Sequence, residues 1–352
     1  MTKTFKIALL PGDGIGREVL PAGVCALEAV TRNSDVTLSF HEFPWGCEFY
    51  SKHGRMMEED GFEQLAAFDA IYMGAFGAPR VPDRISAAII LAIRQRFDQY
   101  VNLRPMRLLP GLASPLANRA AADIDMICVR ENSEGEYSGV GGRIHVGTPR
   151  EVANQTGVFT RHGIERILRY AFELAMKRPR QLLASATKSN ALTHSMVFWD
   201  DVAEQVRADY PAVEYRKYHV DALAARMITH PQTLDVMVAS NLFGDILTDI
   251  GSAISGSLGI APGANINPER RFPSMFEPIH GSAPDIAGKG IANPIGAIWA
   301  AALMLEHLGY RALHDRVLGA VERVVAGGSV RTPDLGGTAK TTDVARAIAG
   351  EI

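Results

Sequence analysis

A short apolar strand that leads into an acidic helix most constrains what this chain can fold into. Residues 233–239 form an apolar run rich in β-branched side chains, which predicts a buried strand. A helix is predicted to follow at once, with Asn241 as its cap and with Asp245 and Asp249 four residues apart. That spacing stacks the two carboxylates on one helical face. The pattern predicts an α/β fold, in which ligands bind just beyond the strand ends.

The paired carboxylates have two interpretations. Like charges at this spacing destabilise an isolated helix, so both acids either face water or receive compensation. A hard divalent cation such as Mg²⁺ or Mn²⁺ is the natural compensation, because it takes carboxylates together with waters and substrate oxygens. The position beyond a buried strand favours the metal. Asp221, at the head of the next helix upstream, is a third acid that complements the pair.

Three arginines lie at the ends of predicted elements or on a helix face. Arg94 interrupts the apolar face of a helix predicted over 85–99, Arg104 lies in an extended segment before a proline, and Arg130 ends a strand. Each alone is typical of a surface charge, with Arg94 laying its stem on the core and its head in water. Arginine forks bind carboxylates bidentately. Together they indicate a substrate with two or more carboxylates.

Two further residues suit proton transfer. Lys188 follows a strand predicted over 181–186, and Tyr137 lies in an acidic loop that contains a glycine. The lysine is either a surface charge or, if desolvated among carboxylates, a general base with an adjustable pKa.

The first glycine cluster resembles part of the Rossmann dinucleotide-binding fingerprint and consists of Gly12, Gly14 and Gly16. The third glycine of that fingerprint would fall at position 17, which is Arg17, so the fingerprint fails. The glycines instead predict a tight strand-to-helix turn close to a ligand, and the dinucleotide is expected elsewhere. The irregular loop over 276–294 is rich in small residues, which suits backbone approach to a cofactor.

Bulk properties exclude several classes of function. A chain of 352 residues suggests two domains, and a net charge of −3 without a long basic run argues against a nucleic-acid partner. The three cysteines are spaced for neither zinc nor disulfides. No apolar run is long enough for a signal peptide or a membrane span. We therefore expect a soluble, cytoplasmic protein.

Taken together, these motifs resemble the family of decarboxylating 2-hydroxyacid dehydrogenases that includes isocitrate and 3-isopropylmalate dehydrogenases. The resemblance covers nearly the whole chain and rests on residues 12–16, 102–105, 129–131, Tyr137, Lys188, Asp221, 241–249, 280–285, 288–294 and 333–337. Within the family, the D-malate/tartrate dehydrogenase branch is the most similar. The segments that carry this closer resemblance are 129–137, 185–190, 238–244, 261–265 and 267–270.

The resemblance implies a two-domain, isopropylmalate-dehydrogenase-like α/β fold that is not a Rossmann fold and has a shared central sheet. Residues 1–98 and 256–352 would form the cofactor-side domain, and residues 99–255 the domain for dimerisation, substrate and metal. A homodimer would share its active sites, so that Lys188 and Asp221 serve the partner's cleft.

The resemblance also implies a role for each candidate residue. Lys188 would remove the hydroxyl proton, Tyr137 would return a proton after CO₂ leaves, and Asp221 would join Asp245 and Asp249 in binding Mg²⁺ or Mn²⁺. Substrate carboxylates would bind Arg94, Arg104 and Arg130. The residues expected to line the cofactor site are His280, Gly281, Ser282, Ala283, Asp285 and Asn293. An acid at Asp285 repels a 2′-phosphate, which predicts NAD rather than NADP.

The implied activity is oxidation by NAD, with or without decarboxylation, of a 2-hydroxy dicarboxylic acid of the D-malate or tartrate type. The aliphatic segment 86–93 departs from that branch, and Ile90 lies one turn before Arg94. This keeps 3-isopropylmalate as an alternative substrate. A non-catalytic regulatory subunit is a further alternative, although such subunits usually lose a catalytic or metal residue. A requirement for a monovalent cation is left open.

Overall fold

The computed structural model describes residues 2–352 and has a mixed α/β architecture with a large central sheet, which confirms the predicted fold class. Along the described chain the strands are β1 Lys3–Gly12, β2 Val36–Glu42, β3 Ala70–Ala75, β4 Val101–Arg107, β5 Asp125–Glu131, β6 Gly135–Ile144, β7 Val152–Val158, β8 Leu182–Thr187, β9 Glu214–His219, β10 Val236–Ala239, β11 Pro262–Ile266 and β12 Ser274–Pro278. Fully buried runs form β3, β8 and β10, as expected when helices cover both faces of a sheet.

The α-helices of the same residues alternate with these strands. The helix expected over 85–99 ends at Arg96, because Asp98 adopts a positive φ of 41° that stops the helix. Single 3₁₀ turns occupy Ala121–Asp123, Pro231–Thr233, Leu258–Ile260 and Pro333–Leu335. The helices are α1 Gly16–Thr31, α2 Cys47–His53, α3 Gly61–Leu65, α4 Asp83–Arg96, α5 Arg161–Met176, α6 Ser195–Arg207, α7 Val220–Thr229, α8 Asn241–Ile254, α9 Ile295–His307, α10 Arg311–Gly327 and α11 Thr341–Glu351.

The chain divides into two compact units. Among the described residues, the first comprises 2–99, 105–124 and 252–352, and the second comprises 100–104 and 125–251. The observed division differs from the boundaries expected from the sequence, because residues 105–124 belong to the first unit. Side-chain contacts explain the difference: Arg107 forms a 2.7 Å ion pair with Glu322 of α10, and Ser114 donates a 2.6 Å hydrogen bond to Ile254 O. The roles assigned to the two units stay predictions.

The first unit carries the strands β2-β1-β3-β12-β11 in that order. The pairs β1–β2, β1–β3 and β3–β12 are parallel, and β11 runs antiparallel to β12. Its helix α9 is buried from Ile295 to Leu305, as its nearly uniform apolar sequence predicts. Even so, no helix within residues 2–352 is both long and apolar enough to cross a membrane.

The second unit carries the strands β4-β5-β10-β8-β9. The pairs β5–β10, β10–β8 and β8–β9 are parallel, so the carboxyl ends of these strands lie on one edge. Helix α5 covers the sheet with a stripe of fully buried apolar side chains at helical spacing, which includes Ile164, Ile167, Leu168, Ala171, Phe172 and Ala175. Arg130, Lys188 and the start of α8 therefore share the edge at which α/β sheets bind ligands.

Residues 135–158 form an antiparallel hairpin of β6 and β7. The hairpin exposes the apolar side chains of Val140, Ile144, Val146 and Val152, each to at least 50%. A lone two-stranded hairpin is only marginally stable in water. Several exposed apolar side chains on one hairpin are typical of an interaction site.

Candidate active site

Helix α8 begins directly after β10 and presents Asp245 and Asp249 at successive turns, as the sequence predicts. The predicted cap is wrong, because α8 begins at Asn241 itself and the Asn241 side chain is engaged elsewhere. The Oδ1 atom of Asn241 accepts hydrogen bonds from Arg130 Nε at 3.0 Å and Nη2 at 2.6 Å, and Nδ2 donates to Glu134 O at 3.1 Å. Asn241 therefore orients Arg130.

Two of the predicted arginines converge on Asp245. Arg130, at the end of β5 and only 2% exposed, forms an ion pair with Asp245 Oδ1. The Nη1 atom of Arg104 lies 3.5 Å from the same oxygen and donates a 2.9 Å hydrogen bond to Thr248 Oγ1. The compensation that the Asp245–Asp249 repulsion requires thus comes in part from arginines of the chain itself.

Tyr137 completes this cluster from strand β6. Its hydroxyl donates a 3.0 Å hydrogen bond to Asp245 Oδ2, and the Arg130 guanidinium lies 5.6 Å from its ring centroid. Burial, followed by the negative charge of Asp245, raises the pKa of Tyr137. The phenol therefore keeps its proton at neutral pH and is able to donate it.

Asp249 differs from Asp245 in that its carboxylate makes no hydrogen bond or ion pair within residues 2–352. Burial raises the pKa of Asp249, and the charge of Asp245 adds to the increase while Arg104 opposes it. A cation beside Asp249 would stabilise its ionised form. Two carboxylates on one helical face are also the hard oxygen donors that Mg²⁺ and Mn²⁺ prefer, so the residues fit such an ion.

Asp221, the third predicted metal ligand, lies apart from this pair. Across residues 2–352 of one chain, no three histidine, cysteine or acidic side chains are close enough together to hold a metal ion. Asp221 instead accepts a 2.6 Å hydrogen bond from Lys188 Nζ, and its side chain is 68% exposed. This contact lowers the pKa of Asp221, chiefly through the hydrogen bond. The structure therefore brings Lys188 and Asp221 together as a second, separate pair.

The contact between Lys188 and Asp221 follows from the parallel pairing of β8 and β9. Register places Thr187 opposite His219, so the residues just beyond both strand ends are neighbours. Lys188 follows β8 directly, and Asp221 lies in the first turn of α7. A lysine and an acid at adjacent strand ends suit proton transfer to a ligand held at that edge.

Arg94 and Ile90 belong to α4 in the first unit. Arg94 forms a 2.9 Å ion pair with Glu277, whose side chain is 8% exposed and also accepts from Asn265 Nδ2 at 2.7 Å. The Nε atom of Arg94 is buried without a hydrogen-bond partner among residues 2–352. Arg94 thus pairs with the Glu277 carboxylate and has one N–H donor, Nε, that makes no hydrogen bond to the described residues. Ile90 is partly buried against the hydrophobic cluster that contains Trp45 and Ile93.

Sequence reasoning missed Glu277, Thr248 and the orienting role of Asn241. Glu277 carried the clearest signal, because it is a lone acid in β12, whose residues are all buried. A carboxylate in such a strand requires a cation or several donors. The polar partners of Arg104 and Arg130 had no comparable signal, since α8 supplies them only once its rotation about its axis is fixed.

The six predicted cofactor residues lie in the first unit, in the segment that ends at the start of α9. Burial lowers the pKa of His280, which favours the neutral imidazole. Its Nδ1 atom lies 3.0 Å from Gly281 O, while Nε2 is buried and has no partner within the described residues. Since a carbonyl only accepts, Nδ1 carries the proton and Nε2 is left as a hydrogen-bond acceptor.

The rest of this segment also fits a dinucleotide. Ser282 is buried, Ala283 adopts a positive φ of 40°, and a Cβ atom added to Gly281 would meet open space. Asp285 is exposed and forms no ion pair with residues 2–352, so its carboxylate is available to a ribose hydroxyl. Asn293 has less freedom, because Oδ1 accepts from Ile295 N at 3.0 Å and Nδ2 donates to Asp334 at 2.9 Å.

Comparison with known proteins agrees with this geometry. Residues 6–348 match the family described as isocitrate/isopropylmalate dehydrogenase. The chain is 55% identical to D-malate dehydrogenase [decarboxylating] of Escherichia coli (strain K12), over 99% of this chain and 98% of the relative. It is 54% identical to tartrate dehydrogenase/decarboxylase of Pseudomonas putida, over 98% of this chain and 97% of that protein.

The solved structures agree. The crystal structure of isocitrate dehydrogenase from Methylococcus capsulatus superposes with a TM-score of 0.89 at 34% identity, over 99% of each chain. The family predicted from the sequence is confirmed, and so is its D-malate/tartrate dehydrogenase branch. The chain belongs to the isocitrate/isopropylmalate dehydrogenase family.

Proposed function

We propose that this protein is an NAD- and divalent-metal-dependent dehydrogenase that oxidises a 2-hydroxy dicarboxylic acid of the D-malate or tartrate type, with or without loss of CO₂. The cluster of Arg104, Arg130, Tyr137, Asp245 and Asp249 carries the proposal, because it combines carboxylate-binding donors, metal-type acceptors and a protonated phenol. The relatives at 54–55% identity that are named for these two substrates support the substrate class.

Arg94 has capacity for a substrate carboxylate beyond its contact with Glu277. A guanidinium carries five donors in a planar fork, and the side-chain contacts of Arg94 use few of them. Arg104 and Arg130 lie against Asp245, so a carboxylate bound to them would lie beside the metal-type acceptors. That arrangement suits a diacid whose hydroxyl and adjacent carboxylate both face the acidic pair.

The proton transfers are assigned to two side chains. When bound, a divalent cation supplies Lewis-acid polarisation of the hydroxyl and carboxylate oxygens, and NAD supplies the hydride acceptor. Lys188 takes the hydroxyl proton as the C2 hydrogen leaves as hydride. Tyr137 gives its proton to the carbon that has lost CO₂. Asp245, hydrogen-bonded to the phenol, orients that donor.

The proposal includes a homodimer with shared active sites. The separation of the Lys188–Asp221 pair from Asp245 and Asp249 within one chain supports it, because the predicted metal set then needs a second chain. The exposed apolar side chains of the β6–β7 hairpin supply a surface of the kind that dimers bury. Lys188 and Asp221 would then act in the partner's site.

Initial rates of NADH formation with Mn²⁺ test the proposal. D-Malate and L-tartrate should be oxidised with higher kcat/KM than 3-isopropylmalate, because the relatives at 54–55% identity are named for D-malate and tartrate. NAD should be preferred to NADP, since Asp285 is an exposed acid. A preference for 3-isopropylmalate would contradict the substrate class, and equal use of NADP would contradict the cofactor.

A further inference from the structure

The turn formed by residues 14–19, which leads into α1 and includes its first residues, has no role in the proposed chemistry, yet it contacts the segment that carries Asp285. The backbones meet at Gly14, where Ile15 N donates a 2.9 Å hydrogen bond to Ser282 O. Gly14 has a φ of +53°, and a Cβ atom there would lie 2.1 Å from that same carbonyl oxygen. Only glycine permits this approach. The glycine-rich turn that does not match the Rossmann fingerprint therefore packs against residues 282–290.

Apolar side chains strengthen the same contact. Ile15 and Val19 of this turn form a buried cluster with Ala292 and Ala297. The partly buried residues Ala283, Ile286 and Ala287 pack against that cluster. One neighbour of Asp285 is thus fixed by packing, while Asp285 itself is exposed.

Glu18 holds the other end of the segment. One carboxylate oxygen accepts a 2.6 Å hydrogen bond from Gly288 N, and the other accepts a 2.9 Å hydrogen bond from Gly290 N. Both glycines have positive φ, 79° and 65°. Because glycine populates many backbone conformations, these two residues have little intrinsic preference for the observed one. Bonds from backbone N–H groups to a carboxylate are charge-assisted and hence stronger than neutral ones.

We infer that Glu18 is a positioning residue for the cofactor: it fixes the segment 282–290 so that Asp285 is held ready for the ribose of NAD. The inference rests on the proposed cofactor site. Ser282 is held on one side of Asp285 and Gly288 on the other, and both contacts come from residues 14–19. Pre-ordering of the segment lowers the entropy lost on binding.

The substitution Glu18→Gln tests the inference, since it keeps the size of the side chain but replaces one of its two acceptor oxygens with an NH₂ group, which cannot accept a hydrogen bond. We expect the Kd and KM for NAD to rise roughly tenfold, while kcat and the KM for the hydroxy acid stay near their wild-type values. Hydrogen exchange of the amides in 285–291 should accelerate. Glu28→Gln is the matched control, because Glu28 is an exposed carboxylate on the same helix, and it should change none of these quantities.

The variant Asp285→Asn separates the inference from the cofactor assignment. If Asp285→Asn weakens NAD binding and Glu18→Gln does not, the positioning role is wrong and the cofactor site stands. If neither variant changes the Kd for NAD, the cofactor assignment itself fails. If Glu18→Gln lowers Tm and impairs all kinetic constants alike, Glu18 has only a structural role and the inference is overturned.

Discussion

Tyr137 shows how one residue can separate the two halves of the proposed reaction. Its phenol keeps its proton because burial and the charge of Asp245 raise its pKa, and its hydroxyl donates a hydrogen bond to the Asp245 carboxylate. Tyr137→Phe removes the proton donor but keeps the ring that contacts Arg130. Oxidation should survive, whereas decarboxylation of the oxoacid should slow on the order of a hundredfold.

Separate assays check the Tyr137→Phe prediction. NADH formation reports the redox step, and CO₂ release from the added oxoacid reports the second step. Equal losses in both assays would show that Tyr137 is not the specific donor for the carbon that loses CO₂.

Glu277 supports a second prediction at the residue scale. It is buried with Arg94, and removing one charge of a buried pair leaves the other uncompensated. Glu277→Gln should lower the free energy of unfolding by about 3 kcal/mol. Glu165→Gln removes one partner of an exposed ion pair with Arg169 and should cost roughly 0.5 kcal/mol or less. Urea unfolding of both variants measures the contrast, and equal small losses would mean that the buried pair contributes little.

At the scale of elements, the end of α9 supplies a pH-dependent term in stability. Burial, followed by the nearby Arg270, lowers the pKa of His307 from 6.5 to about 4. The Phe276 ring packs against the imidazole, and Arg270 also donates a hydrogen bond to the carbonyl oxygen of His307. The unfolded chain therefore binds a proton between these pH values that the folded chain does not. Stability is unaffected above pH 6.5 and falls as the pH drops towards 4.

The replacement His307→Gln checks this linkage. Wild-type protein should lose on the order of 2 kcal/mol more than the variant between pH 6.5 and 4, because the variant has no group to protonate at this position. His162→Gln, at an exposed position in α5, should retain the wild-type slope. Identical pH profiles for wild type and His307→Gln would contradict the assignment.

Helices and turns were easier to predict from the sequence than the tertiary contacts that they make. The periodicity of 241–250 correctly predicted a helix with two stacked carboxylates, because such a pattern depends only on local spacing. The prediction that Asn241 caps this helix was wrong, because its amide orients Arg130, a residue 111 positions away along the chain. The turn at Gly12, Gly14 and Gly16 was correctly predicted as tight. Its partner was not, since Ser282 approaches Gly14 only through the tertiary fold.

At the scale of the whole molecule, the sequence predicted the fold class and the family, and both are confirmed. The order of motifs along the chain carried that information, as no single motif is specific enough. The segment 105–124 could not be assigned to its unit from sequence, because its contacts with α10 and Ile254 join residues far apart in the chain. Residue roles and the dimer stay predictions.

The central claim is that the α8 cluster of one chain acts with the Lys188–Asp221 pair of another. Heterodimers that combine a Lys188→Ala chain with an Asp249→Asn chain test it most directly, when the two chains are co-expressed with different tags and purified through both. Shared sites would leave one site intact and one doubly defective, so NADH formation should reach about half the wild-type rate, although each parent homodimer is inactive. A heterodimer as inactive as its parents would contradict the claim, because every site would then lie within a single chain.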